Sequence, residues 1–244
     1  MAHPLDNPLW SALTGPQAHL AVRNGRSARY PADVSPFAAV ADGSQGAWND
    51  LALLAGEGGT VGVAAAHREP PSGWELVEAT PGVQMDGSGL DVGTDQEAVR
   101  LGPADVPEML DLVARTRPGP FLPRTIVLGT YLGIRRGGLL VGMAGERMRP
   151  PGWGEISAVC TDPAHRGQGL AGRLVRAVGA VIRERGDVPF LHAAASNGTG
   201  IRLYEHLGFT LRRKLLFGAL RVVAPYPARA ASSDPAARAA SSAR

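Results

Sequence analysis

The chain is short of several things that define common protein classes. It has one cysteine, Cys160, and one lysine, Lys214. A single cysteine excludes an internal disulfide and a cysteine-built zinc cage, and it fits a reducing compartment. No apolar run approaches the roughly 20 residues that cross a bilayer. The start, Met1-Ala2-His3-Pro4-Leu5-Asp6, lacks a basic segment followed by an apolar one. We therefore expect no secretory leader, no membrane span and a cytoplasmic location. Aromatic residues are also scarce, at 5%. They do not alternate with basic residues along any stripe, as a nucleic-acid-binding groove would need.

Charge is sparse but nearly balanced. There are 25 Lys and Arg against 22 Asp and Glu, a net charge of +3, with a pI near 9.5. Almost all the positive charge is arginine, scattered along the chain. That argues against a nucleic-acid partner and suits a small anionic ligand. Hydrophobic residues make up 44% of 244 residues, enough to bury a substantial core.

Three zones follow from the pattern. Residues 1–92 are rich in Gly and Pro. Pro31 to Val40 reads as loop, Asn49 to Leu54 as a short helix, and Thr60 to Ala65 and Trp74 to Thr80 as strands. Turn chemistry follows at Pro81-Gly82 and Asp86-Gly87. Residues 93–224 have a clearer rhythm. Glu97 to Leu101 reads as a strand. Ala104 to Arg115 carries a helical stripe at Val106, Met109, Leu110 and Val113. Thr130 to Ile134 and Leu139 to Arg147 flank a hairpin turn, and Glu155 to Thr161 is the next strand. A strong helix follows, with Leu170, Leu174, Val178 and Ile182 on one face. Then come a strand from Val188 to Ala193, a helix from Thr199 to Leu207 and a strand from Phe209 to Phe217. The order predicts a mixed α/β sheet with helices on both faces. The remainder, 225–244, is almost entirely Ala, Ser, Pro and Arg and is expected to be a disordered tail.

One segment carries chemistry. After the strand ending at Thr161, the chain reads Asp162-Pro163-Ala164-His165-Arg166-Gly167-Gln168-Gly169-Leu170-Ala171 and enters the strong helix. Glycines at such a junction let the backbone approach a ligand, and a helix N-terminus offers free N–H groups to phosphate. Taken alone, the same glycines read more readily as serving only a tight turn. A second segment, Asn197 through Leu203-Tyr204 to Gly208-Phe209, lies downstream.

Together these two segments resemble the GNAT superfamily of acetyl-coenzyme A-dependent N-acetyltransferases. The likeness spans about 96–223 and is nearest to a bacterial branch with an extra N-terminal region. It implies a mostly antiparallel sheet with acetyl-coenzyme A as cosubstrate, a primary amine as acceptor and no metal. It implies that backbone amides of Gly167, Gln168, Gly169, Leu170 and Ala171 hold the pyrophosphate. The strand end at Val159, Cys160 and Thr161 would follow the pantetheine arm. Arg166 would add charge or face solvent. Asn197 would bind the cofactor, cap a helix, or both. Tyr204 would be the general acid, or a core residue with Ile201 and Leu207. Glu155 is the candidate general base, against a reading as an arginine-paired carboxylate. Glu146 and His192 are weaker candidates. His165 could touch phosphate, and Cys160 reads as a buried small residue, not a nucleophile. Strand alternation places Glu155, Ser157, Val159 and Thr161 on one face unless a bulge intervenes. Residues 1–92 read as a degenerate copy of the same half-fold, a substrate lid or an oligomer contact, the last making a homodimer. The alternative function is an inactive acyl-coenzyme A sensor.

Overall fold

A computed structural model describes residues 3–64 and 69–223. The expected tail at 225–244 lies outside the described residues. The first helix, α1 (Pro8–Leu13), leads to a small antiparallel sheet of β1 (Val22–Asn24), β2 (Ser27–Arg29) and β3 (Ala38–Val40). The last of these strands falls where the sequence reads as loop. A second helix, α2 (Gln45–Ala55), starts at Ser44, whose hydroxyl accepts from the Ala47 N–H at 3.3 Å, a standard N-cap.

The main sheet then begins with β4 (Thr60–Ala64) and β5 (Trp74–Asp86). It continues with β6 (Val99–Arg100), α3 (Val106–Thr116), β7 (Tyr131–Arg136), β8 (Leu139–Glu146) and β9 (Trp153–Thr161). It closes with α4 (Leu170–Glu184), β10 (Val188–Ala194), α5 (Gly198–His206) and β11 (Thr210–Val222). The strand order is β4-β11-β5-β10-β9-β8-β7-β6. All neighbours run antiparallel except β9 and β10. The sheet is therefore mixed and mostly antiparallel, as expected.

Strand β8 sends side chains to both faces, with an extra residue at Val141, between Leu140 opposite Arg135 and Gly142 opposite Ile134, resetting the alternation. Val141 and Ala144 point to the core under α4, packed with Leu174, Val175, Val178 and Ile182. Leu140 and Met143 point the other way, to Met109 and Leu112 of α3. Each fully buried aliphatic side chain is worth about 1.5–3 kcal/mol, so the predicted stripe of α4 anchors the fold. Its arginines are not idle. Arg173 pairs with Asp95 and Glu97, Arg176 pairs with Asp91, and Arg183 donates to the Ser88 carbonyl. They strap the segment from Ser88 to Glu97 along the helix.

The N-terminal zone is not packed apart from the rest. Its strand β5 lies inside the main sheet, between β10 and β11. The Pro81-Gly82 pair is not a turn; it sits in the middle of this 13-residue strand. Proline is tolerated because β10 ends at Ala194, opposite Gly82, so fewer ladder bonds are at stake from Pro81 onward. Gly82 is required by space. A Cβ there would come within 2.3 Å of the Phe217 ring. Gln17, almost wholly buried, ties the zone to the segments before β7 and after β8 by donating to the carbonyls of Leu128 and Arg147.

Candidate active site

Two local irregularities open the sheet. First, β9 pairs with β10 only from Trp153 to Ile156. Beyond Ile156 the two parallel strands separate. Second, β9 carries a bulge. Gly145 pairs with Ser157 and Met143 with Cys160, so two residues of β9, Ala158 and Val159, oppose one of β8. Ala158 takes φ 52°, a left-handed value rare for a residue with a Cβ. Simple alternation therefore fails here. Glu155 and Thr161 do not share a face by parity alone, because the extra residue shifts the count.

The gap leads into a cavity of about 1100 Å³. At one end lie His165, Arg166, Gly167 and the first turn of α4. Gly167 and Gly169 have φ of 78° and 73° with open space where a Cβ would project. Conformation, not crowding, thus demands glycine at both. Gly169 is the N-cap of the 15-residue α4, so the unbonded N–H groups of its first turn face this end. Two buried polar atoms nearby have no hydrogen-bond partner, Thr161 Oγ1 and His165 Nδ1, the latter 3.9 Å from Asp162 Oδ1. Buried polar atoms are nearly always bonded, so an orphan pair at one cavity marks a place for a ligand. Asp162, next to both, is held by Arg115 of α3.

The structure brings most of the predicted site residues onto this cavity. Val159, Cys160, Thr161, Arg166, Gly167, Gly169, Leu170, Ala171, Asn197 and Tyr204 all line it, and Gln168 does not. Asn197 caps α5 by accepting from the Gly200 N–H at 3.0 Å and also lines the cavity. Tyr204 is 8% exposed and edge-on to Phe209. Burial, helped by the nearby Cys160, pushes its phenol up to about 12. Cys160 is buried, and burial pushes its thiol up against the opposing hydrogen bond of Thr116. It is not poised as a nucleophile.

Of the two readings of Glu155, the structure places it as the arginine-paired carboxylate. It is fully buried and does not line the cavity. Arg147 grips it with two bonds of 2.8 and 2.6 Å, the Met148 N–H donates at 3.3 Å, and His192 Nδ1 lies 2.7 Å away. Burial alone would raise its carboxyl, but the charge and hydrogen bonds of Arg147, then those of His192, hold it down at about 2. A carboxylate so engaged is a poor direct base. Its partners Arg147 and His192 do line the cavity. The Gln84 amide donates to the Leu5 carbonyl, while its oxygen accepts from Arg212, so its second N–H is aimed at His192 Nε2, 3.0 Å away. This network assigns the Nδ1–H tautomer to His192. Glu146 is also removed from the cavity, being buried and paired with Arg185.

Sequence reasoning missed the other half of the cavity. Phe37, Gly62, Glu78 and Thr80 come from the N-terminal zone, and Phe217 from β11. No local motif marks them, because their meeting depends on where β5 inserts.

Comparison with known proteins gives four findings. The FR47-like protein family matches residues 131–217. The chain is 38% identical over 90 residues to the N-alpha-acetyltransferase RimI of Mycobacterium tuberculosis, covering 34% of this chain and 56% of that one. It is 36% identical over 114 residues to mycothiol acetyltransferase of Thermomonospora curvata, covering 44% and 36%. The chain thus spans about half or less of these two relatives. A crystal structure of a GNAT-family protein from Novosphingobium aromaticivorans is 42% identical, with a TM-score of 0.84. That likeness covers 91% of this chain and all of the other.

Proposed function

The chain belongs to the GNAT family of acetyltransferases, and on that footing we propose that it transfers the acetyl group of acetyl-coenzyme A to a primary amine by direct attack in a ternary complex. The observation that carries this reading is the split between β9 and β10. It runs to the N-terminus of α4 and ends at two orphaned buried atoms, Thr161 Oγ1 and His165 Nδ1.

The residues present fit coenzyme A. The backbone amides from Gly167 to Ala171, together with Arg166 and His165, offer donors and positive charge for a pyrophosphate. Val159 to Thr161 on one strand, with Asn197 beyond the other, suit a long amide-bearing arm. When bound, acetyl-coenzyme A supplies an activated thioester with a thiolate leaving group.

Tyr204 keeps its proton at neutral pH, since its phenol lies at about 12. Full transfer of that proton to a thiolate of ordinary, lower basicity runs uphill. Its role is therefore hydrogen-bond donation to developing negative charge, not complete protonation. Glu155 acts as a positioning residue. It fixes the guanidinium of Arg147 and the ring of His192 where both face the acceptor side. With both carboxylate oxygens and both ring nitrogens engaged, the acceptor's proton passes to solvent at the cavity mouth.

The test is release of free thiol from acetyl-coenzyme A across a panel of primary amines, with cofactor binding measured in parallel. Thiol release that depends on the amine supports the proposal. Binding without release for every amine overturns it in favour of an acyl-coenzyme A sensor.

A further inference from the structure

The half of the cavity away from α4 has its own character. Its floor is made by Phe217, which lies over the side-chain-free Gly82 and touches the His192 ring edge-on at 5.6 Å. One wall is Phe37, packed over Gly62, with the Arg147 guanidinium 4.9 Å from its ring centre. The charge of Arg147 is met in full by Glu155. Farther along β5, on the same face as Gly82, stand Thr80 and Glu78.

Glu78 is the lone carboxylate among the described residues that line the cavity. It is exposed and makes no ion pair among the described residues, and it accepts from the Thr80 hydroxyl at 3.4 Å. The apex of the split lies at His192, which pairs with Gln84, and Ala194 pairs with Gly82. From Gly82 to Glu78 is four residues of strand, about 13 Å at ~3.3 Å each. With transfer placed inside the split, opposite Gly82 and Ala194, a trough floored by Phe217 and walled by Phe37 runs from it to a single negative charge that has no ion partner among the described residues.

We infer that the acceptor carries a second cationic group, separated from the reacting amine by an apolar or extended spacer of roughly 13 Å, and that Glu78 receives that group. This rests on the acetyltransferase reading above. A long diamine and a short peptide with a basic side chain share this chemistry. A carboxylate at the far end attracts such a group, while the aromatic floor and wall cover the spacer.

The test compares matched acceptors by kcat/KM for thiol release. One arm sets butanediamine and decanediamine against the monoamine of equal chain length. The other sets Ala-Ala-Lys amide against Ala-Ala-norleucine amide. In the unaltered protein the long diamine or the basic peptide should lead its neutral match by about fivefold at low salt, and the lead should shrink as salt rises. Butanediamine, too short to reach, should show no lead. Glu78→Gln should abolish the lead, and Glu78→Lys should reverse it, both through KM. Whichever arm shows the effect supports the inference and identifies the source of the charge. Thiol release with no lead in either arm, or a lead that survives Glu78→Gln, overturns this inference alone. No thiol release with any amine overturns the acetyltransferase reading with it.

Discussion

Replacing Glu155 by Gln tests the buried ion pair at the back of the site. The perturbation removes one charge and leaves Arg147, whose side chain is 11% exposed, without its bidentate partner. Breaking a buried pair on one side costs about 3–5 kcal/mol, since the remaining charge stays desolvated. A second route gives a similar figure. The carboxyl falls from an ordinary 4.5 to about 2 in the folded protein, which corresponds to roughly 3 kcal/mol. At ~2–4 °C per kcal/mol for a chain of this size, the melting point should drop by about 10 °C. Urea unfolding followed by circular dichroism should show a lower midpoint with an unchanged slope. The double replacement Glu155→Gln with Arg147→Met should recover most of the loss, because no lone charge remains. The sign with pH is fixed. A folded carboxyl below its unfolded value stabilises fully above about 4.5 and loses that contribution as pH falls toward about 2. The gap between the two proteins should therefore narrow across that window. A single replacement costing under about 1 kcal/mol, or a double no better than the single, would refute the reasoning.

Three further outcomes follow. Tyr204→Phe should lower kcat by about 10- to 100-fold, the worth of a hydrogen bond to a charged group, with coenzyme A affinity nearly kept; calorimetry and steady-state kinetics separate the two. Gly169→Ala should weaken coenzyme A binding by about tenfold, because the loop holds φ 73° in open space and the added Cβ strains the conformation, not the packing. Gly179→Val should cost about 1–3 kcal/mol in urea unfolding, since a Cβ at Gly179 already lies 2.5 Å from Leu90.

The part of the molecule built from local signals was legible in the sequence. The stripe of α4, its glycine-led start, the cap at Asn197 and the hairpin before β8 each depend on residues within a turn or two. The sheet's interior was not. Trp74 to Thr80 reads as a strand closed by Pro81-Gly82, yet the strand runs on to Asp86 because its partners come from residues 190–222. The bulge at Ala158 has no glycine to announce it. Glu155 shows the limit at the site itself. Its strand position was readable, but the grip of Arg147 and His192 depends on β8 and β10 flanking β9, and that grip decides what a carboxylate there can do. Glu78 and Phe37 carry no signal at all in one dimension.

The place of β5 also has a consequence in time. The strand is made well before its neighbour β11, with 123 residues between Asp86 and Thr210. At the usual pace of synthesis that interval is roughly 10 s. During it, a strand bearing Val83 and Met85, both destined for the core under α4, has neither long-range partner. The centre of the sheet thus closes only after β10 and β11 have been made. Sheets joined across such distances fold slowly and expose edges meanwhile. A fragment that starts after residue 92 would keep every recognisable motif and still lack the strand that joins its two halves.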